Sequence, residues 1–217
     1  MASQIQRKHR ILCLHGNSSS AKILNQQVHR WPETVLEKLD LVFLDAPFPV
    51  EENPDFSEFT NFEECLAYLE DYMINNGPFD GFLGFSQGAM LSAALPGMQR
   101  DGLALTKVPK IKFLILISGG KFGGIKIGLP ELTLTAFSVP LELPSLHIIG
   151  DLDRFRLESI ELMEAFVDPF VIYHPEGHTI PKLDEKSLEV VFAFIERIQE
   201  TIRADEARIC LNEKSKL

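Results

Sequence analysis

Six short runs of apolar residues along the chain predict the strands of a buried sheet. Residues 112–118 are the clearest run, because large apolar side chains follow one another without the alternation of a half-exposed strand. Such a run is typical of a parallel strand covered on both faces. The full set of predicted strands covers residues 11–14, 41–44, 81–85, 112–118, 145–149 and 169–173.

Helical spacing of apolar residues fills the intervals between these runs. Residues 61–76 carry an amphipathic pattern, with Asn61 as a candidate cap and Glu64 placed to complete a capping box. Other helices are predicted at residues 21–39 with an interruption near Pro32, from 87 to about Pro96, at 154–167, and at 183–205. Strands that alternate with helices predict an α/β fold with a mostly parallel central sheet and helices on both faces.

The length and charge of the chain narrow the classes of function. With 217 residues it is long enough for one α/β domain, which we assign to residues 1–211, with a flexible tail at 212–217. Its net charge of −10 argues against nucleic acid and against an anionic membrane surface as partners. Its three cysteines lie far apart, which indicates neither a disulfide framework nor a zinc site and favours a reducing compartment. No apolar run is long enough to span a membrane, and residues 1–10 lack a secretory core.

The last three residues, Ser215, Lys216 and Leu217, match a peroxisomal address. This tripeptide predicts a peroxisomal import receptor as a partner and the peroxisome as the location. A cytoplasmic location with a chance match in a solvated tail is the alternative.

The stretch from Gly84 to Gly88 has the pattern G-x-S-x-G, with Ser86 at its centre. It follows a predicted strand and precedes a predicted helix, which is the context of a nucleophile elbow. In such a turn a Cβ at either flanking glycine would collide with the neighbouring strand or helix. We therefore predict that Ser86 is a nucleophile.

Further reactive residues follow other predicted strands, where ligands bind in this class of sheet. His15 to Asn17 follow the first strand, Asp151 and Asp153 the fifth, and His178 the sixth. Histidine suits the role of general base for a serine, and an aspartate can fix its tautomer. For the oxyanion we expect two backbone donors, the N–H of Gln87 and that of Asn17. This chemistry needs no metal and no organic cofactor.

Two of these assignments have competitors nearby in the sequence. We favour His178 as the base because it follows Glu176 and Gly177 in a loop, whereas His174 lies at a strand end. We favour Asp153 over Asp151 for its spacing after Gly150. An aspartate at such a turn can also serve only as a cap or turn residue.

Phe48, Phe56 and Phe59 lie in loops that we expect to overhang Ser86. One interpretation is a substrate pocket for an acyl or aryl group. Ordinary core packing beneath a long loop is the other.

The motifs together resemble the FSH family of small serine hydrolases, within the α/β-hydrolase superfamily. The resemblance spans nearly the whole chain, and the block at 62–89 is the most specific to the family. The chain departs from the family pattern at Asn17 and Ser18, since members of the family commonly carry an aromatic and a basic residue at these two positions. The stretches that carry it are residues 14–16, 45–49, 77–81, 84–89, the turn from Gly150 to Asp153, and the segment from Glu176 to Pro181.

This resemblance implies an esterase or thioesterase with Ser86, Asp153 and His178 as the catalytic triad. We expect hydrolysis of a small-molecule carboxylic ester with a hydrophobic acyl or aryl group. An acyl-CoA or acyl-carrier thioesterase is the first alternative, for which Lys121, Lys126, Arg154 and Arg156 are the candidate cations. A non-catalytic ligand-binding protein with the same fold is the second.

Overall fold

The computed structural model describes residues 8–48 and 57–214, with side chains up to residue 204. In chain order the strands and helices are β1 (His9–Leu14), α1 (Ala21–Val28), α2 (Glu33–Leu36), β2 (Leu39–Leu44), α3 (Phe62–Asn76), β3 (Gly81–Phe85), α4 (Gln87–Arg100), β4 (Phe113–Ile117), β5 (Ser145–Gly150), α5 (Arg156–Met163), β6 (Phe170–His174) and α6 (Glu185–Lys214). A short 3-10 helix, Glu131–Thr133, precedes β5.

The six strands form one sheet in the order β2-β1-β3-β4-β5-β6, and every neighbouring pair is parallel. Side chains of β3 and β4 alternate between two apolar layers on opposite faces of the sheet. Phe82 and Leu114 belong to the layer that includes α3 and α4, and Leu83 and Ile115 to the layer that includes α1 and α6. The α/β fold with a parallel central sheet and helices on both faces is therefore confirmed.

Several predicted details of the helices are wrong. In the stretch predicted at 21–39 the interruption near Pro32 is confirmed, because α1 ends at Val28 and α2 begins at Glu33, but the predicted end is wrong, because β2 begins at Leu39. Asn61 has a left-handed backbone, with φ of 52°, and its side chain makes no capping hydrogen bond, so the capping box does not form. The helix predicted at 154–167 is the shorter α5, and α6 continues to Lys214 rather than ending near residue 205.

Helix α4 continues through Pro96 to Arg100, although proline cannot donate the backbone hydrogen bond of a helix interior. Ala93, Ala94, Leu95 and Met98 around it are fully buried. The helix also presses on a neighbouring loop, since a Cβ at Gly97 would collide with the carbonyl of Ala136. Tertiary packing therefore outweighs the local effect of the proline.

Two predictions from the sequence lie outside the described residues. They are Phe56 of the candidate pocket and the tripeptide Ser215 to Leu217. The division into a domain at 1–211 and a tail at 212–217 stays a prediction. Among the residues that the structure does describe, no helix has the length and apolar character needed to cross a membrane.

Candidate active site

Ser86 lies on a strained turn between β3 and α4, with φ of 54° and ψ of −118°. Non-glycine residues rarely adopt this conformation, which costs about 1–3 kcal/mol where the surrounding structure enforces it. The flanking glycines are sterically required, as the motif predicts. A Cβ at Gly84 would lie 2.5 Å from the backbone N of Ala89, and one at Gly88 would collide with the carbonyl of Leu14.

His178 lies within hydrogen-bond distance of this serine, although 92 residues separate the two in sequence. Its Nε2 is 2.9 Å from Ser86 Oγ. The rings of Phe85 and Phe155 pack against the imidazole, with centroids at 5.1 and 5.2 Å. These two rings restrict the orientation of the imidazole.

Asp153 lies on the opposite side of the same imidazole. Both of its carboxylate oxygens are 3.0 Å from His178 Nδ1, and Oδ1 also accepts the N–H of Phe155 at 2.8 Å. Burial tends to raise the pKa of the Asp153 carboxyl. The hydrogen bonds from His178 and Phe155 outweigh burial and lower that pKa below its usual range. Asp153 is therefore held as an anion beside the imidazole.

Asp151 and His174, the alternatives considered for the acid and the base, lie in environments unlike those of Asp153 and His178. Asp151 is exposed and lies 3.5 Å from the guanidinium of Arg156, away from the imidazole of His178. His174 is buried, and neither of its ring nitrogens has a hydrogen-bond partner among the described residues. Burial lowers the pKa of His174, which favours a neutral ring.

The loops that carry the acid and the base are joined through their backbones. The N–H of Asp151 donates to the carbonyl of His174 at 2.8 Å, and that of Leu152 to the carbonyl of Glu176 at 3.2 Å. Gly150 permits this approach, since a Cβ there would lie 2.6 Å from the Glu176 carbonyl oxygen. The spacing between Asp153 and His178 therefore depends on the pairing of β5 with β6.

The loop after β1 lies against the serine. A Cβ at Gly16 would lie 2.9 Å from Ser86 Cβ. His15 fastens this loop, because its Nε2 accepts the N–H of Ala46 at 3.1 Å while its Nδ1 donates to the Gly16 carbonyl at 2.8 Å. Asn17 follows Gly16 directly, and Gln87 begins α4, where the first backbone N–H groups have no partner within the helix. The roles of Asn17 and Gln87 as oxyanion donors stay predictions.

A narrow cleft opens beside Ser86, and its volume of about 10 Å³ leaves room for about one water molecule. It is lined by Ser86, Met90, Ser118, Gly119, Gly120, Ile127 and Phe155. Apart from Ser86, none of these residues was predicted from the sequence as part of the site. Met90 could have been found, because it lies one helical turn after the serine.

Phe48 and Phe59 are not among the described residues that line this cleft. Phe48 is 38% exposed. Phe59 belongs to an aromatic cluster, with ring centroids 6.4 Å from Phe62 and 5.1 Å from the buried Phe122. Its contacts fit the core-packing interpretation, while the substrate-pocket role of Phe48, Phe56 and Phe59 stays a prediction.

Within the part of the chain that the structure describes, no three His, Cys, Asp or Glu side chains are grouped so that they could hold a metal ion. The hydroxyl of Ser86, the imidazole of His178 and the buried carboxylate of Asp153 lie next to one another in space in that order. This is the arrangement needed to move a proton away from the hydroxyl.

Comparisons with known proteins find similarity to serine hydrolases and esterases. A family model described as "Serine hydrolase (FSH1)" matches residues 3–61 and 51–190 of the chain. Esterase C25G4.2 of Caenorhabditis elegans is 30% identical over 222 residues, which cover 91% of this chain and 97% of that protein. Human Esterase OVCA2 is 30% identical over 213 residues, which cover 81% of this chain and 91% of that protein.

Solved structures of esterases and thioesterases share the fold. Arabidopsis thaliana SOBER1 superposes with a TM-score of 0.54 at 20% identity, over 89% of this chain and 100% of that one. Zea mays acyl-protein thioesterase 2 superposes with a TM-score of 0.56 at 16% identity, over 90% of this chain and 95% of that one. At these identities the likeness concerns the architecture of the sheet and helices alone.

Proposed function

Because this chain belongs to the FSH1 family of serine hydrolases and is an enzyme of that class, we propose that it hydrolyses a carboxylic ester. The substrate we propose carries a hydrophobic acyl or aryl group and reacts through an acyl-enzyme on Ser86. The observation that carries the proposal is the contact of 2.9 Å between His178 Nε2 and Ser86 Oγ, backed by Asp153 on Nδ1.

In the first half of the reaction, Ser86 Oγ attacks the ester carbonyl carbon. As the new C–O bond forms, the hydroxyl proton passes to His178 Nε2. Asp153 keeps Nδ1 protonated before the attack and stabilises the imidazolium afterwards. Collapse of the tetrahedral intermediate breaks the bond to the alcohol, and His178 returns its proton to the departing oxygen.

In the second half, water replaces the alcohol. His178 takes a proton from water, whose oxygen attacks the acyl carbon, and the proton is then delivered to Ser86 Oγ as the carboxylic acid leaves. We assign stabilisation of both oxyanions to the N–H groups of Asn17 and Gln87. Support for Gln87 comes from its place at the start of α4, where a free N–H and the helix dipole favour negative charge.

A thioester of coenzyme A is the second candidate substrate, and the charges near the site weigh against it. Coenzyme A carries phosphates and needs free cations to bind them. Three of the four candidate cations already face carboxylates, since Lys121, Lys126 and Arg156 lie 3.2, 3.7 and 3.5 Å from acidic oxygens. Arg154 instead lies over the ring of Phe155 at 4.9 Å.

The direct test compares hydrolysis of simple aryl esters with hydrolysis of acyl-CoA of the same acyl group. We expect a higher kcat/KM for the aryl ester. We also expect a fluorophosphonate to label wild-type protein but not Ser86→Ala. A folded wild-type protein that is neither labelled nor active on the esters would contradict the proposal, and preference for acyl-CoA would support the second candidate.

We also propose import into peroxisomes, on the basis of the tripeptide Ser215 to Leu217. A fluorescent protein fused to the N-terminus, with and without these three residues, provides the test. Punctate fluorescence that depends on the tripeptide would support import. Diffuse fluorescence from both fusions would contradict it.

A further inference from the structure

Ile127 lines the cleft beside Ser86 and packs against a part of its wall that carries no side chains. Gly119 and Gly120 form part of its wall and contribute no side chain. The space beside Gly120 is nevertheless filled, because a Cβ there would collide with Cδ1 of Ile127. The terminal methyl of Ile127 therefore lies against the Gly120 backbone and occupies the space that a side chain there would fill.

Ile127 is held in place by the loop that carries it. This loop, residues 119–128, is fastened to α5 by two acids. Glu161 accepts the N–H of Ile125 at 2.7 Å and lies 3.2 Å from Lys121, while Glu158 lies 3.7 Å from Lys126. Ile127 itself is buried and donates its N–H to the Gly124 carbonyl at 3.3 Å. Its position is therefore set by the scaffold rather than left to a free loop.

A buried carboxylate lies beneath the same wall. The side chain of Glu158 is only 2% exposed, and its Oε1 has no hydrogen-bond partner among the described residues. Its Cβ lies 3.3 Å from the Cβ position at Gly120. An alkyl chain that passed beyond Ile127 on this side would therefore meet the Cβ of Glu158.

The cleft lies on the side of the serine that suits the acyl group. The departing alcohol must receive its proton from His178 Nε2, so it must leave beside that imidazole. Met90, on the turn after Ser86, lines the cleft, and so does Phe155, whose ring packs against the imidazole, whereas His178 itself does not line it. The acyl group, which stays on Ser86 Oγ, is left to occupy the cleft.

We propose that Ile127 determines the length of the acyl group that this enzyme accepts, and that the preferred substrates carry short acyl chains. This inference rests on the proposed ester hydrolysis at Ser86. In a pocket of this kind, one methylene group changes selectivity by roughly 10- to 200-fold. Shortening Ile127 should therefore produce a measurable shift toward longer acyl groups.

The experiment measures kcat/KM of the full chain for p-nitrophenyl acetate, butanoate, hexanoate and octanoate. In the wild-type protein we expect the values to fall with chain length. Ile127→Ala should raise the ratio of octanoate to acetate by at least roughly 10-fold. Ile127→Phe should lower the ratio of butanoate to acetate, because it fills the cleft further. If the alanine variant does not fold, the smaller change Ile127→Val takes its place. It should raise the ratio of hexanoate to acetate.

Two controls identify the cause of any shift. Ile125→Ala changes an exposed isoleucine of the same loop, 43% accessible, and should leave the ratios unchanged. The second control is a series of acetate esters with alcohols of increasing length. The dependence of kcat/KM on alcohol length should be the same in wild-type protein and in Ile127→Ala. If only the alcohol series shifts, or if neither series shifts, the assignment of Ile127 is overturned while the proposed function stands. A folded wild-type protein without activity on any ester would overturn both.

Discussion

Asp153 contacts His178 Nδ1 with both carboxylate oxygens, each at 3.0 Å. The contact fixes the hydrogen on Nδ1 and leaves Nε2 free to accept the proton of Ser86. An amide in place of the carboxylate could hold the ring but could not supply the negative charge. The role of the acid can therefore be tested separately from its position.

Asp153→Asn should reduce kcat on an aryl ester by roughly 10,000-fold, the scale found for the aspartate of a serine triad. Asp151→Asn is the matched control, because Asp151 lies in the same turn but pairs with Arg156 at 3.5 Å. Its loss should change kcat by less than about 10-fold. Steady-state kinetics with the opposite ranking would assign the acid role to Asp151.

Ser86→Ala and His178→Ala should each reduce kcat to a similar low level, and the double variant should lose little more. Residues that act as one unit in catalysis give such non-additive losses. His174→Ala should retain turnover in whatever fraction of the protein is folded, as quantified by circular dichroism. Near-normal turnover in His178→Ala, with loss in His174→Ala, would show that the base is wrongly assigned.

Ser86→Gly should unfold at a higher denaturant concentration than Ser86→Ala. Position 86 has φ of 54° and ψ of −118°, a region that glycine reaches at lower energy than alanine. The difference in the free energy of unfolding should be about 1–3 kcal/mol. Equal stabilities would mean that the turn is not strained.

Gly88→Ala should reduce the free energy of unfolding by about 3 kcal/mol or more, because the added methyl group meets the rigid carbonyl of Leu14. Gly177→Ala is the control with room for the same methyl group, since its nearest neighbour would be 3.5 Å away. Urea unfolding of both variants measures the difference. A Gly88→Ala variant as stable as Gly177→Ala would contradict the steric explanation of the motif.

His147 should make the protein less stable in acid. Burial lowers its pKa to about 3 from the ordinary value of 6.5, so the folded state keeps the ring neutral where the unfolded chain binds a proton. Between pH 6.5 and pH 3, the free energy of unfolding should decrease by up to about 1.4 kcal/mol for each pH unit by which the pH is lowered, as a result of His147 alone. The contribution is fully present above pH 6.5 and is lost as the pH falls toward 3.

His147→Gln removes this proton uptake and should flatten the dependence of the unfolding free energy on pH over that range. Chemical denaturation of both proteins at a series of pH values provides the measurement. Parallel curves for wild-type protein and variant would show that His147 does not carry the effect.

The strands and the serine turn were predictable because each depends on a short stretch of sequence. The continuous apolar run around β4 and the two glycines around Ser86 have direct local causes. The choice of His178 over His174 also agrees with the contact to Ser86 in the structure, and its catalytic role stays a prediction.

The cleft could not be predicted, because Met90, Ile127 and Phe155 come from three separate segments that meet only in the folded sheet. Pro96 shows the same limit for secondary structure. Its local preference ends a helix, yet burial of the residues around it continues α4 to Arg100. The packing of Phe59 could not be predicted either. Its ring contacts Phe122, which lies in a loop far away in the sequence, and no sequence pattern connects the two residues.

The two backbone hydrogen bonds between the loops after β5 and β6 have a consequence for how this protein can vary. An insertion in either loop alone would move Asp151 and Leu152 out of register with His174 and Glu176. The separation of Asp153 from His178 would change with them. Among relatives and in designed libraries, the lengths of these two loops should therefore vary together rather than independently.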